Sequence, residues 1–510
     1  MYNKSKWIMP NHGDSSKTIW GICGLGHDGS LSVVRDGEIL FAGHTERYTR
    51  VKNDSNLCDE MINEALEHGE PDRVIWHERP WLKKRRQMVA GQWSEVFQTS
   101  NLPSQYMKQF QHMVPHDLEY VEHHKAHAAA GAYTSPYNSA CVIVADAIGE
   151  FDTISIWEYT APNNLKRLKT YQYPHSLGLL YSAFTQRVGL KPNEEEYILM
   201  GMAAYGEPKY AKHIEEDFFD TKDPLKLKMN VHAGIEEWMG HMPLLDHQFS
   251  YDVAASIQQV IEKKILTLFE IARSYSSQKN IVWMGGVALN CVANSLMYNK
   301  NQNIWIMPNP GDAGNSLGAA ALGYGDKLNW QGPFLGTNIE GEYPVDSACE
   351  ALINGNIIGV ASGKAEFGPR ALGNRSLLAD PRGGEIKDRV NDIKKRQKFR
   401  PFAPAILEEH VHEYFTMPGG ITESPYMQAV AICRKPQEFP AIIHADGTSR
   451  VQTVTQKEAP GFYNLIKKFY DQTGCPMLLN TSLNIKGEPL VNTRQHADAF
   501  EQKHKVRVYS

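Results

Sequence analysis

Along this chain the hydrophobic positions keep switching period. "TIWGICGLG" (Thr18 to Gly26) is a continuous apolar run of strand length closed by glycines, which predicts a buried strand. "SLSVVRDGEILFAGHTERYTR" gives two β-rich runs around Asp36-Gly37, a hairpin signal. "CDEMINEALEHG" has helical spacing and ends in glycine, and "RVIWH" (Arg73 to His77) returns to strand. A helix is predicted within "YVEHHKAHAAAGAYTS" (Tyr120 to Ser135), then strand–turn–strand in "SACVIVADAIGEFDTISIWEYT". "SIQQVIEKKILTLFEIARSYSSQK" is a long amphipathic helix, and "NIVWMGGVALN" is a strand breaking at Gly285-Gly286. "NPGDAGNSLGAAALGYG" is a loop opening into a small-residue helix.

Strands alternating with helices place the chain in the α/β class. Two strand–glycine–strand hairpins and the late strand–Gly-Gly–helix turn suggest two related α/β lobes. Backbone N–H groups of the hairpin turns would hold phosphates, and the Gly-Gly turn would cradle a nucleoside. No internal repeat is evident in the residues themselves.

At 510 residues the chain is too long for one core. The Gly- and Pro-rich stretch "WQGPFLGTNIEGEYP", residues 330–344, reads as a linker. The division expected is an N-terminal extension (1–17), a large domain (18–330), a linker (331–344) and a smaller α/β domain (345–510). The smaller domain differs in charge: between Lys364 and Arg400 there are eleven Lys or Arg against five Asp or Glu.

Composition adds exclusions. The formal net charge is −5, so nothing global indicates nucleic acid. No run of about 18 apolar residues occurs, so no membrane span is expected. Seven cysteines, odd in number and without CxxC spacing, argue against a disulfide framework or a zinc ribbon. Buried thiols in a reducing compartment, and hence a cytoplasmic enzyme, are the expectation.

Candidate chemistry sits in a few places. His123 and His127, at i and i+4, project from one helical face, a spacing that suits two imidazoles on one metal. No glutamate of the HExxH kind lies between them. Asp146 ends the strand "CVIVAD" and Asp312 sits in the glycine loop; both are natural further donors. Two His with carboxylates suit iron(II), manganese or zinc. The small residues Ala128 to Ala132 would let a neighbouring element or a nucleotide approach closely. "GLGHDGS" presents His27 at a strand end, able to act as a general base, against an alternative in which Asp28 and Ser30 merely shape the turn. In "TERYTRVKND", Lys52 or an arginine reaches a phosphate, or the turn is simply solvated. "GKAEFGPRALGNRSLLADPR" interleaves Lys364, Arg370, Arg375 and Arg382 with Gly-Pro turns and a short apolar helix, which suggests cations held in place. Lys394, Arg396 and Arg400 follow, and "LLNTSLNIKGEP" turns a strand into Asn480, Thr481, Ser482 and Asn484. Together these form a bed for a phosphate or carboxylate.

The ordered set "GHDGS", "TERYTRVK", "VEHHKAHAAAGAY", "PHSLGLLYSAFT", "MGGVALN", "NPGDAGNSLGAA", "FGPRALGNRSLLADPR", "KFRPFAP" and "LNTSLNIKGEP" resembles the O-carbamoyltransferase family of nodulation and antibiotic biosynthesis. The resemblance implies an actin/Hsp70-like, two-lobed Kae1-like ATPase domain followed by a smaller YrdC-like α/β domain. It implies that carbamoyl phosphate and ATP give carbamoyl-adenylate in the YrdC-like domain. The carbamoyl group then passes to an acceptor hydroxyl in the Kae1-like domain. Carried over by position, the metal ligands are His123, His127, Asp146 and Asp312, and the catalytic pair is His27 with Lys52. Gly149, Gly285, Gly286, Asn290 and Gly311 would hold the nucleotide. Arg370, Arg375, Lys394, Arg396, Arg400, Asn480, Ser482 and Asn484 would line the adenylate-forming site. The implied cofactors are ATP, a divalent metal (iron(II) first, with Mn, Zn or Mg as alternatives) and Mg with ATP in the YrdC-like site.

Partners implied are carbamoyl phosphate, ATP and a hydroxyl-bearing acceptor, with a homodimer as a candidate assembly. The acceptor is a natural-product sugar or alcohol, or a 5-hydroxymethyl-pyrimidine as nucleotide or in DNA. The alternative reading is a tRNA threonylcarbamoyladenosine-type modification enzyme, against which the net charge and "FGPRALG" speak. The chain departs from the family pattern at Ala147, Ile198, Lys364 and Gln397, none of them a proposed ligand.

Overall fold

The computed structural model describes residues 17–240, 247–301 and 303–510. Apart from Lys17, the expected N-terminal extension lies outside the described residues. The chain folds into two compact units. One takes in residues up to Thr49, Asn53–Leu289 and Asn303–Trp330; the other takes in Arg50–Lys52, the stretch from Asn290 to just before Asn303, and Gln331–Ser510.

The first unit is mixed α/β. Strands β1 (Thr18–Cys23), β2 (Ser30–Arg35), β3 (Glu38–His44), β4 (Arg73–Trp76) and β5 (Leu118–Tyr120) form a five-stranded sheet in the order β3-β2-β1-β4-β5. β1, β2 and β3 are an antiparallel meander, and β4 and β5 add in parallel beside β1. The Asp36-Gly37 turn has φ of +52° and +80°, the double left-handed turn that matches strand twist.

Strands β6 (Ser139–Gly149), β7 (Asp152–Thr160), β8 (Asn164–Gln172), β9 (Ile281–Met284) and β10 (Ile304–Trp305) form a second sheet in the order β10-β9-β6-β7-β8. It has the same topology: an antiparallel meander from β6 to β8, with β9 and β10 parallel beside β6. The repeat lies in the connectivity, which is why no repeat shows in the residues.

Small residues set how helices meet these sheets. A Cβ on Gly21 of β1 would stand 1.9 Å from the Ser316 carbonyl, and one on Gly318 would stand 1.9 Å from the Ala126 carbonyl. The helix Asn315–Tyr324 is thus held tightly between β1 and the histidine helix, His123–Thr134. A Cβ on Gly131 would meet Met284 and Val282 of β9 at 2.6 Å. The small residues 128–132 are all buried, so their clearance is taken by packing of this kind.

The second unit, also mixed α/β, is built on a six-stranded sheet. Its strands run in the spatial order Gln452–Val454, Ala403–Leu407, Met477–Ser482, Arg375–Ala379, Ile358–Ala361 and Val508–Tyr509. Two sequence expectations are corrected here. The short apolar helix expected in "RALGNRSLLAD" is instead the strand Arg375–Ala379, buried at every position and paired antiparallel on both sides. So short an apolar run carries no decisive period. The stretch expected as a linker contains the strand Phe334–Ile339, paired antiparallel with Gly363–Glu366. Its Gly and Pro residues flank or bend the strand rather than dissolve it.

All seven cysteines are free and all but Cys58 are buried. Among the described residues no helix is long and apolar enough to cross a membrane.

Candidate functional site

Three elements of the first unit converge on one point. The histidine helix begins at His123, so His123 and His127 share the face of its first turns. Asp146 lies in β6, which runs three residues beyond it to Gly149. Asp312 opens the tight turn Asp312–Gly314 that leads into the helix Asn315–Tyr324. His123, His127 and Asp146 are buried, and Asp312 is half-buried.

The donor atoms cluster. His127 Nε2 is 3.2 Å from His123 Nε2 and 3.3 Å from Asp312 Oδ1. His123 Nε2 is 3.4 Å from both Asp146 Oδ2 and Asp312 Oδ1, and His127 Nε2 is 3.6 Å from Asp146 Oδ2. Donors bound about 2.0–2.2 Å from a shared ion stand roughly 2.8–3.6 Å apart. Two imidazole nitrogens aimed at each other and at two carboxylates call for positive charge between them. The residues fit a divalent metal.

Electrostatics agree. Burial pushes the His123 pKa down, but Asp312 and Asp146 outweigh it and hold it well above the usual histidine range. Burial and the charge of Asp312 push Asp146 up, yet His123 and His127 hold its carboxyl below the usual range.

Surrounding groups fix these ligands. The Gly286 N–H donates to Asp146 Oδ1 at 3.2 Å. Asn315 Nδ2 lies 3.4 Å from His123 Nε2. A Cβ on Gly149 would stand 2.2 Å from the His123 ring and 2.6 Å from the His124 ring. His124 turns away from the ligands: its Nδ1 meets Ser155 Oγ at 2.8 Å, and Ser155 also accepts from Trp157 Nε1 at 2.8 Å. His77, whose ring lies 5.3 Å from that of His123, is pushed down to about 4 by burial and stays neutral. Arg79 binds Glu150 and reaches Glu122, while Arg167 binds Glu122 and Asp152. That network braces the β6–β7 hairpin against the start of the histidine helix. Sequence reading missed Asn315, His77 and this network. "NPGDAGNSL" offered a weak signal for Asn315 alone, as a buried amide beside a proposed ligand.

His27 lies on the loop after β1, half-buried, with Nδ1 2.9 Å from Asp28 Oδ2. That hydrogen bond, opposed by burial and aided by the charges of Asp28 and Asp312, pushes His27 up to about 9. The imidazole is therefore largely protonated at neutral pH. Lys52 is exposed and belongs to the second unit.

The glycines expected at a nucleotide have distinct roles. Gly285, with φ of +91°, lies where a Cβ would stand 2.0 Å from the Ala145 carbonyl. At Gly311 nothing lies within 4 Å of that position, so the backbone there is open. Asn290 caps the helix Cys291–Tyr298, accepting from the Ala293 N–H at 3.1 Å.

In the second unit Lys394, Ser482 and Asn484 come together. Lys394 Nζ donates to Asn484 Oδ1 at 2.8 Å and to Ser482 Oγ at 3.1 Å. Burial, then the charges of Arg396 and Arg400, holds the Lys394 pKa well below the usual lysine range. Arg396 donates to Asn391 Oδ1 at 2.7 Å and lies over the Phe402 ring. Arg370 is half-buried at the turn before the central strand. Arg375 and Asn480 face inward. The Arg375 guanidinium is fully buried and donates to the carbonyls of Asn492, Ser362, Asn374 and Thr337 at 2.8–3.1 Å. Asn480 Nδ2 donates to the Ala371 carbonyl at 3.1 Å and to Gln452 at 2.7 Å. These two bind the "RALGNR" loop to the sheet. Glu366, unremarked in the sequence, accepts the N–H groups of Leu372, Asn374 and Arg375 at 2.8–3.1 Å. The departure Gln397 leaves its Oε1 buried without a hydrogen bond.

Comparison with known proteins gives these sites a family. The carbamoyltransferase N-terminus model matches residues 83–321, and the carbamoyltransferase C-terminus model matches residues 349–509. An uncharacterised protein of Synechocystis is 34% identical over 94% of this chain and 93% of its own length. Nodulation protein NolNO of Sinorhizobium fredii is 30% identical over 92% of this chain and 75% of its own. The 3′-hydroxymethylcephem-O-carbamoyltransferase of Amycolatopsis lactamdurans is 27% identical over 92% of this chain and 93% of its own. Among solved structures, component A of the (R)-2-hydroxyglutaryl-CoA dehydratase of Acidaminococcus fermentans aligns at 14% identity and a TM-score of 0.37, over 61% of this chain and 98% of that one, too distant to carry an argument. With both family models matched along its length and relatives aligned nearly end to end, the chain belongs to the carbamoyltransferase family and is an enzyme, a transferase.

Proposed function

We propose that the chain is an ATP-dependent O-carbamoyltransferase with two chemical stations. Residues 345–510, in a YrdC-like arrangement, make carbamoyl-adenylate: carbamoyl phosphate and water give carbamate and phosphate, and the carbamate oxygen then attacks the ATP α-phosphorus, forming the carbamoyl–AMP bond as pyrophosphate leaves. Residues 18–330, in an actin-like, Kae1-like arrangement, pass the carbamoyl group to an acceptor hydroxyl and release AMP. The duplicated β3-β2-β1-β4-β5 order supports the Kae1-like reading. The observation that carries the proposal is the convergence of His123, His127, Asp146 and Asp312 within 4.8 Å, inside a chain of this family.

These four residues would hold a divalent metal, iron(II) first by donor type. Once bound, it supplies positive charge that grips and polarises a nucleotide phosphate. The other tasks belong to the chain. Gly149, Gly285, Gly286 and Gly311 offer backbone surface to the nucleotide, and Asn290 is carried over as a nucleotide contact by motif position alone. His27, oriented by Asp28, faces the acceptor: in its neutral form Nε2 takes the hydroxyl proton as the new C–O bond forms and the bond to AMP breaks. Lys52 is carried over by motif position alone as a lysine that binds phosphate. In the second unit the cations Arg370, Lys394, Arg396 and Arg400 stabilise developing phosphate charge, and Ser482 and Asn484 orient Lys394. Arg375 and Asn480 hold that bed in shape.

The test is a mass screen of hydroxyl acceptors with carbamoyl phosphate and ATP, looking for a carbamoyl increment. His27→Ala should abolish the increment while pyrophosphate release continues. Loss of both activities would contradict this assignment of stations.

A further inference from the structure

The loop that carries His27 begins on a residue in a costly conformation. Leu25 has φ of +58°, the left-handed region that a residue other than glycine enters against its own side chain. Such a conformation persists where its surroundings fix it. Both main-chain groups of Leu25 are engaged. Its N–H donates to the Ser55 carbonyl at 2.8 Å, and its carbonyl accepts from Lys83 Nζ at 2.8 Å.

Beyond His27 the chain is pinned again. The Asp28 carbonyl accepts from Cys23 Sγ at 3.2 Å, and the Gly29 N–H donates to the Asp54 carbonyl at 2.7 Å. Gly26 and His27 lie between these anchors. Gly26 is exposed, and a Cβ placed on it would find Lys83 Nζ at 4.0 Å and no other contact within 4 Å among the described residues. Packing does not shape the backbone there; Lys83 is the group beside it.

Lys83 is itself held from a firm base. It belongs to the helix Pro80–Val89, and the residue before that helix, Arg79, donates its main-chain N–H to Glu150 at 2.6 Å. Lys83 Nζ also donates to Glu78 Oε1 at 2.6 Å. Glu78 is buried, and a buried carboxylate needs a paired cation. Burial pushes the Glu78 pKa up, but Lys83, helped by His77 and His123, holds it below the usual range. The ammonium thus spans two partners, a fixed carboxylate and the Leu25 carbonyl.

We infer that Lys83 is a positioning residue for His27: anchored by Glu78, it holds the Leu25 carbonyl and so keeps residues 24–28 in the conformation that sets the imidazole on Asp28. The inference rests on the reading of His27 as the base of carbamoyl transfer and adds a residue to it. The His27–Asp28 contact joins neighbours in sequence, so it depends on the backbone that Lys83 restrains. That contact is the first influence on the His27 pKa, ahead of burial, the charges of Asp28 and Asp312 and the main chain of Asn193.

The experiment follows the His27 ring by NMR in the full chain, labelled at histidine, from about pH 5 to about pH 10, with the signal assigned by its loss in His27→Gln. In the parent the midpoint is expected at about 9. Glu78→Gln/Lys83→Met removes the link without leaving a buried carboxylate unpaired, and its midpoint should fall toward the ordinary value of about 6.5. Lys83→Arg and Glu78→Gln, which keep a cation for the Leu25 carbonyl, should stay near the parent. The direction is diagnostic, because loss of a nearby cation by itself would raise a histidine pKa. Should the double variant fail to fold, Glu78→Gln/Lys83→Gln, a pair of amides able to bond each other, repeats the test with the same expectation. An unchanged or raised midpoint in a folded double variant overturns the inference, as does a fall of the same size in Lys83→Arg. Carbamoyl phosphate-dependent pyrophosphate release absent from the parent chain would instead remove the carbamoyl-transfer reading, and the titrations would still decide whether Lys83 places His27.

Discussion

His127 Nε2 and Asp312 Oδ1 lie 3.3 Å apart, brought together from a helix and from a turn far along the chain. Both atoms also approach His123, and His127 approaches Asp146 as well, so each donor faces at least two others. A set of donors closed on itself in this way fits a cation. His127→Ala or Asp312→Asn should lower metal affinity by at least about 100-fold, measured as bound metal after dialysis. The parent chain should also lose thermal stability on chelation, because an ion bound to the folded form alone stabilises it by mass action.

Gly149→Ala tests how the hairpin supports the ligands. The new methyl would stand 2.2 Å from the His123 ring, so the helix start or the hairpin must shift. The expected loss is about 1–3 kcal/mol of stability in denaturant unfolding, together with weakened metal binding. Gly311→Ala, where nothing lies within 4 Å, should cost far less.

The His27–Asp28 pair fixes a pH dependence. The pair raises the His27 pKa to about 9, so the neutral base becomes more abundant as pH rises through that value. Acceptor-dependent AMP release should climb from pH 7 toward about 9 and then level. Asp28→Asn removes the first cause of the shift and should move the climb to lower pH. An identical profile in the variant would separate Asp28 from the behaviour of His27.

Much of this was legible in the sequence. The His123/His127 spacing, Asp146 at a buried strand's end and Asp312 in a glycine loop were all visible, and the structure clusters them. Lys394, Ser482 and Asn484 also come together. Illegible were features that exist only through pairing. The strand Arg375–Ala379 is a strand because partners flank it on both sides, which a five-residue apolar run cannot announce. The four carbonyls that Arg375 meets were equally invisible, because a cation beside Gly-Pro turns reads alike whatever it pairs with. The duplication was half legible: the two hairpins suggested related lobes, whereas the shared strand order depends on pairing, which residue identity does not record.

Arg375 thereby carries a prediction of a different kind. Arg375→Ala would take a donor from the carbonyls of Asn492, Ser362 and Thr337, while the Asn374 carbonyl keeps the Ser362 N–H; a buried acceptor left unpaired costs about 1–3 kcal/mol. The substitution should destabilise the second unit by at least about 3 kcal/mol in denaturant unfolding. Lys394→Met, similar in volume and uncharged, should leave more of the fold intact and remove adenylate formation.

The proposed function stands or falls on carbamoyl-adenylate formation. Phosphorus NMR of the purified chain with ATP, Mg and carbamoyl phosphate, without acceptor, tests it most directly. Pyrophosphate and phosphate should appear together, with none of the pyrophosphate when carbamoyl phosphate is omitted or when Lys394→Met replaces the parent. ATP left intact by a folded, metal-loaded chain, or pyrophosphate released at the same rate without carbamoyl phosphate, would contradict it.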